Sequence, residues 1–386
     1  MKRATTTLAG LLLMVACAPA PESAESTEEI PALQDVFEDA FLVGGALNPS
    51  QFTGENAQEA GLAAKHFSTI TPENAMKWER IHPEPGAYEF GPADAFVAFG
   101  EEHDMFIVGH TLIWHSQAPD WVFEDAEGQP VGRDTLLARM RDHIHTVVGR
   151  YAGRVDGWDV VNEALNDDGT LRPTPWLRII GEDYLAKAFE FAHEADPDAE
   201  LYYNDYSLNN PAKRDGAVRL VRSLQDQGVP VTGIGMQAHY ALSYPALEEI
   251  AASIEAFGEL GQVMITELDV AVLPRPQEHW GADISQRAEL RDELNPFPDA
   301  FPDSMQQRLA RRYADFFDVF LAHREDISRV TFWGVTDAGS WLNGWPIAGR
   351  TSYPLLFDRQ GQPKPAFFAV IEAAQQSQGN RDDGRP

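Results

Sequence analysis

Two glutamates close two apolar, strand-like runs. Glu163 ends Val-Asp-Gly-Trp-Asp-Val-Val-Asn-Glu, and Glu267 ends Val-Met-Ile-Thr-Glu. A carboxylate behind an apolar run is costly to bury unless it is paired or put to use. Pairing is the bland alternative, but no lysine or arginine adjoins either glutamate. Use is the sharper one. Hydrolysis of a glycosidic bond takes two carboxyl groups, one protonated to release the leaving oxygen and one placed near the anomeric carbon. Their pKa values must be driven apart, and spacing alone does not say which glutamate takes which part. Gln237 and His239, if they stand beside Glu267, would favour its ionised form and suit a nucleophile.

The elements that must position these groups follow from hydrophobic patterning. Eight apolar strand-like runs occur, at 41–47, 67–71, 105–114, 155–163, 200–205, 233–237, 263–267 and 329–335. Helical periods lie between them. Asp134 to Gly149 carries Leu136, Leu137, Met140, Ile144, Val147 and Val148 on one stripe, with Asp134 as the expected N-cap. Ala212 to Gly228 and Met305 to His323 repeat the form. Eight strands alternating with helices predict a single α/β (β/α)8 TIM barrel. A doubly wound open sheet is the rival, but no Gly-x-Gly-x-x-Gly follows any strand.

Active sites of such barrels sit at the C-terminal strand ends, and polar residues pile up there. Strand two leads into Glu73, Asn74 and Lys77. Strand three carries His110 and Trp114, then Gln117. Strands four and five end in Asn162-Glu163 and Asn204-Asp205. Strand six gives Gln237 and His239, strand seven Glu267 and Asp269, strand eight Trp333 and Asp337. Side-chain alternation puts Asn162 on the opposite face from Glu163. Asp269 reads equally as a helix cap, and Asp205 as a brace. Trp158 and Trp280 read as packing or loop anchors, Trp121 and Trp176 as core.

Other chemistries lack their signatures. His110 and His115 are not at a ligand spacing, and no His-Glu-x-x-His is present, so neither a catalytic metal nor a cofactor is expected. No Gly-x-Ser-x-Gly marks a serine hydrolase. A net charge of −30 disfavours nucleic acid and acidic polysaccharide, and nine tryptophans lean weakly towards sugars.

Residues 1–16 read as an export signal: Lys2 and Arg3, then a short apolar run from Leu8. The run ends Met14-Val15-Ala16-Cys17, which resembles a bacterial lipobox and marks Cys17, the only cysteine, for lipidation. An ordinary signal with an incidental cysteine is the other reading. The expectation is an exported protein, anchored to an outer membrane or cell surface through that lipid, and otherwise periplasmic or extracellular. Residues 17–34 read as a flexible acidic tether, 35–375 as the catalytic domain, and 376–386 as a disordered tail. The loop 274–304 is expected over the rim of the site.

At seven places, in order, the chain resembles glycoside hydrolase family 10, the endo-β-1,4-xylanases. The motifs are Thr71-Pro72-Glu73-Asn74-Ala75-Met76-Lys77-Trp78, His110 to Gln117, and Trp158-Asp159-Val160-Val161-Asn162-Glu163. Then come Tyr203-Asn204-Asp205-Tyr206, Gly235-Met236-Gln237-Ala238-His239, Ile265-Thr266-Glu267-Leu268-Asp269 and Thr331 to Asp337 with Ser340-Trp341. The resemblance spans roughly residues 35 to 375. It departs at Thr71, where Asn is common, and at Ala338-Gly339-Ser340, where Asp or Gly residues with Ser are usual. It implies xylan or xylo-oligosaccharides as substrate, cleaved with retention. Glu163 is implied as acid/base, Glu267 as nucleophile, and His239 as a partner of Glu267. Asn162 is implied to hold the sugar 2-hydroxyl. Glu73, Asn74, Lys77, His110, Trp114, Gln117, Gln237, Trp333 and Trp341 are implied to line the glycone side. Retention puts the two carboxyls about 5–5.5 Å apart. A cellulase or mannanase on the same barrel is the alternative, although such relatives tend to read Asn-Glu-Pro where this chain reads Asn-Glu-Ala. A sugar-binding lipoprotein on an inactive barrel is a third reading. The expected assembly is a monomer.

Overall fold

A computed structural model describes residues 30–276 and 282–382, the last three in backbone only. The expected signal, Cys17, Trp280 and residues 383–386 lie outside these. Eight strands run parallel in a closed ring. They are β1 (Leu42–Leu47), β2 (Thr69–Pro72), β3 (Phe106–Ile113), β4 (Gly157–Asn162), β5 (Glu200–Asp205), β6 (Gly233–Met236), β8 (Gln262–Ala271) and β9 (Ile327–Phe332). Pairing of β6 with β8 and of β9 with β1 closes the barrel. Its strands are buried along nearly their whole length, which is why they read as continuous apolar runs rather than alternating ones.

A further short strand, β7 (His239–Ala241), pairs with the far end of β8. β8 is longer than its apolar run suggested, because Leu268, Asp269 and Val270 carry it past Glu267 while fully buried. That extension gives the His239 backbone a strand to lie against.

The helices dock by single apolar stripes. In Arg133–Arg150, Leu136, Met140, Ile144, Val147 and Val148 are buried, each worth about 1.5–3 kcal/mol on burial. Its N-cap is Gly132 rather than Asp134, which sits in the first turn, where a carboxylate favours the helix dipole. Asn210 caps the helix Pro211–Asp226 through Ala212 N.

Two domain edges differ from expectation. Residues 17–34 are not a tether throughout, since Leu33 is fully buried in the short helix Leu33–Val36. The tail is helical from 376 to 382, within the helix Pro365–Asp382, and the Gln378 side chain donates to Val36 O at 3.2 Å.

At the N-terminal strand ends the barrel is plugged by a hydrogen-bonded line of polar groups, which leaves Arg329 Nη2 without a partner. Buried Arg329 donates to Tyr202 Oη at 3.1 Å, Tyr202 Oη bonds Glu200, and Gln262 donates to Glu200 Oε1 at 3.1 Å. Higher up, Trp158 needs Gly109: a Cβ there would stand 2.1 Å from the indole.

Candidate active site

All thirteen side chains expected in the site, Glu163 and Glu267 included, line one cavity of about 370 Å³. It lies at the C-terminal strand ends, as the barrel requires. Two neighbouring strand tips build its floor. Asn162 and Asn204 are register partners on β4 and β5. Asn204 Nδ2 donates to Asn162 Oδ1 at 3.0 Å and to Glu267 Oε1 at 2.9 Å. Asn162 Nδ2 donates to Glu163 Oε1 at 3.3 Å, and Gln237 Nε2 donates to the same oxygen at 3.1 Å. The two carboxylates are thus joined by a continuous bridge of amides. Thr266 Oγ1 donates to Asn204 Oδ1 at 2.7 Å and fixes which way that amide faces. Gly235 makes room for it, since a Cβ there would lie 2.4 Å from Asn204 Oδ1.

Strict alternation fails at Asn162 and Glu163 for a local reason. The β4–β5 register shifts between Asp159 and Val161, and Glu163 takes φ 60°. The chain turns sharply at the strand tip, so consecutive side chains reach one cavity. Gln117 (φ 48°) and Ala238 (φ 60°), the latter between Gln237 and His239, use the same left-handed conformation. Such backbone costs about 1–3 kcal/mol per residue and persists where surrounding structure enforces it.

The environments of the two carboxyls differ. Burial pushes Glu163 above the usual carboxylate range, and its hydrogen bonds offset that only in part. Burial also pushes Glu267 upward. There the His239 hydrogen bond, with the charges of His110, His239 and Lys77, prevails and holds the group below its usual value. His239 Nε2 stands 3.1 Å from Glu267 Oε2, and Nδ1 3.1 Å from Asp269 Oδ2. Although burial lowers it, the paired carboxylates Asp269 and Glu267 raise His239 to about 9. An imidazolium donates from both nitrogens, which fits both bonds. The two environments therefore drive the carboxyls apart, Glu163 towards its protonated form and Glu267 towards its anion.

Cations and rings complete the walls. Lys77 Nζ donates to Asn74 Oδ1 (3.1 Å) and Gln117 Oε1 (3.0 Å), and sits 4.9 Å from the centre of the Trp114 ring. His110 Nδ1 meets Asp159 Oδ2 at 2.9 Å, with both side chains buried. Trp333 stands edge-on to His110 at 5.4 Å.

Some strand-end residues are elsewhere. Asp205 braces from behind, paired with buried Lys213 at 2.9 Å. Asp337 pairs with Lys364 at 2.8 Å. Asp269 is no helix cap but the buried partner of His239. Trp158 and Trp176 are core, and half-buried Trp121 bonds Pro83 O. Sequence reasoning missed Asn204 as a site residue, although its strand-end position was visible. It also missed Trp345, Ile284, Arg287 and Ala282, which line the cavity from loops without periodicity. The last three come from the 274–304 segment. Among the described residues, no group of three or more His, Cys, Asp or Glu is placed to hold a metal ion.

Known proteins resemble this chain along nearly its whole length. The family model for glycosyl hydrolase family 10 matches residues 32–373. Endo-1,4-beta-xylanase A of Xylanibacter ruminicola is 44% identical over 373 residues, 96% of this chain and 99% of that one. A family 10 endoxylanase retrieved from sugarcane soil metagenome superposes with a TM-score of 0.86 at 45% identity, covering 88% of this chain and 99% of its own. An intracellular xylanase of Thermoanaerobacterium saccharolyticum, solved with xylotriose, gives a TM-score of 0.77 at 39% identity, covering 89% and 99%.

Proposed function

The chain belongs to glycosyl hydrolase family 10, and on that premise we propose that it is an endo-β-1,4-xylanase working by double displacement with retention. The observation that carries this reading is the opposed tuning of two carboxyls on one amide bridge, Glu163 raised and Glu267 lowered.

In the first step a Glu267 oxygen attacks the anomeric carbon. The bond to the leaving sugar oxygen breaks, and Glu163 gives that oxygen its proton. A glycosyl ester forms on Glu267, and Glu163 becomes a carboxylate. In the second step Glu163 takes a proton from water, whose oxygen attacks the same carbon. Glu267 departs as a carboxylate and the configuration is restored. Neutralising Glu267 in the ester removes a charge that raised Glu163, so the same group serves as acid and then as base.

Asn162, already bonded to both Glu163 and Asn204, would hold the sugar 2-hydroxyl. Glu73, Asn74, Lys77, His110, Gln117, Gln237 and the rings of Trp114, Trp333 and Trp341 would seat the glycone. The xylan reading draws on the relatives' xylanase activities. It is tested by reducing-end release from xylan, mannan and carboxymethylcellulose, with xylan expected as the preferred substrate. Export with a lipid on Cys17 rests on the sequence run alone. Cys17→Ser should release the protein from the membrane fraction, and continued sedimentation with membranes would refute anchoring.

A further inference from the structure

Asp269 is fully buried, and one of its oxygens does double duty. Oδ2 meets His239 Nδ1 at 3.1 Å and accepts from Trp341 Nε1 at 2.6 Å, while Oδ1 has no hydrogen-bond partner. His239 in turn holds Glu267 Oε2 at 3.1 Å. A ring that only stacked on a sugar would need a face and no N–H. The Trp341 ring does line the cavity, lying 4.8 Å from the His239 ring. Its N–H, however, points at a buried carboxylate, a charge-assisted bond that fixes how that carboxylate is turned. The indole is itself held. It stacks on Trp345 at 4.5 Å and 15°, and Trp345 Nε1 donates to Asp283 O at 3.2 Å. Ser340 Oγ accepts from Leu342 N at the start of the Trp341–Asn343 turn.

We propose that Trp341 is a positioning residue for the nucleophile, acting through Asp269 and His239 on Glu267 by way of its indole N–H. This deepens the reading of Glu267 given above and rests on it. The sequence of contacts is Trp345, Trp341, Asp269, His239, Glu267. Each link restricts the next, as outer partners orient inner ones in metal sites. The charged and titratable groups facing the two ends of this line are His110, His239, Lys77, Glu73 and Glu163 around Glu267, with Arg275 and Tyr313 near Asp269.

Trp341→Phe keeps an aromatic face and removes the N–H. With an aryl β-xylobioside, kcat should fall about 10-fold, the scale of one hydrogen bond to a charged group. The acid limb of kcat/KM should move up, which loss of ring contact with the sugar alone would not produce. In an Asp269→Asn background the same replacement should cost no more than about twofold, because the acceptor charge is already gone. A rise in KM alone with an unmoved acid limb, or equal losses in both backgrounds, overturns the proposal. A second arm needs no change at Trp341. In indole-¹⁵N spectra of the sugar-free protein, Asp269→Asn should shift one tryptophan N–H signal upfield, and no shift would contradict the bond. Absence of turnover by the parent enzyme would instead count against the xylanase reading, which the spectra do not involve.

Discussion

Asn204 spans the site: its single amide nitrogen donates to Asn162 Oδ1 and to Glu267 Oε1. Through Asn162 it reaches Glu163 as well. One side chain therefore helps to orient both Glu267 and Asn162.

Asn204→Ala removes a donor from a buried carboxylate. Hydrogen bonds to charged groups contribute about 1.5–3 kcal/mol, so kcat/KM should drop roughly 10- to 100-fold. The acid limb should also rise, because Glu267 loses a bond that favours its anion. Steady-state rates across pH with an aryl xylobioside check both.

Glu163→Ala should cost about 10²–10⁴-fold on xylan, the usual contribution of a positioned acid, and far less on an aryl glycoside whose leaving group needs no proton. Added azide should restore turnover and yield a glycosyl azide of retained configuration. Equal losses on both substrates would remove Glu163 from the acid role.

The pH profile should be a bell. Its acid limb should follow Glu267, held below the usual carboxylate value, and its basic limb Glu163, raised above it. His239→Gln should move the acid limb upward. His239 also links pH to stability. Its folded value is about 9 against 6.5 in the unfolded chain. The stabilisation is complete below 6.5 and is lost as pH rises through about 9. Melting temperature should therefore fall between pH 7 and 10 more steeply in the parent protein than in His239→Gln.

Much of this was legible in the sequence because parallel barrel strands are buried on both faces and end at the chemistry. Apolar runs marked the eight barrel strands, and their ends carried the expected cavity side chains except Trp341, which only the family resemblance implied. What stayed hidden has physical causes. The short strand at His239–Ala241 exists only because β8 overruns its apolar run. Asn162 defeats alternation because the register slips at Val161. Asp269 and Asp337 look alike at strand ends, yet one serves His239 and the other Lys364, partners 30 and 27 residues away in the chain. Trp345 comes from an aperiodic loop, where neither period 2 nor 3.6 says which way a ring faces.

The Asp337–Lys364 pair supports structure rather than chemistry. Both groups are buried, and Asp337 is raised by burial to about 6. Asp337→Asn keeps the acceptor for Leu355 N but leaves Lys364 without its counter-charge. Breaking such a pair costs about 3–5 kcal/mol. Denaturant unfolding should show that loss, with kcat unchanged at temperatures where the variant is folded.

The most direct test is covalent. A 2-deoxy-2-fluoro-β-xylobioside with a good leaving group should inactivate the enzyme as a stable glycosyl ester. Peptide mass spectrometry should then find one added fluoroxylobiosyl group, on the peptide carrying Glu267. A label on Glu163, or full turnover with no protein-bound sugar, would contradict the account.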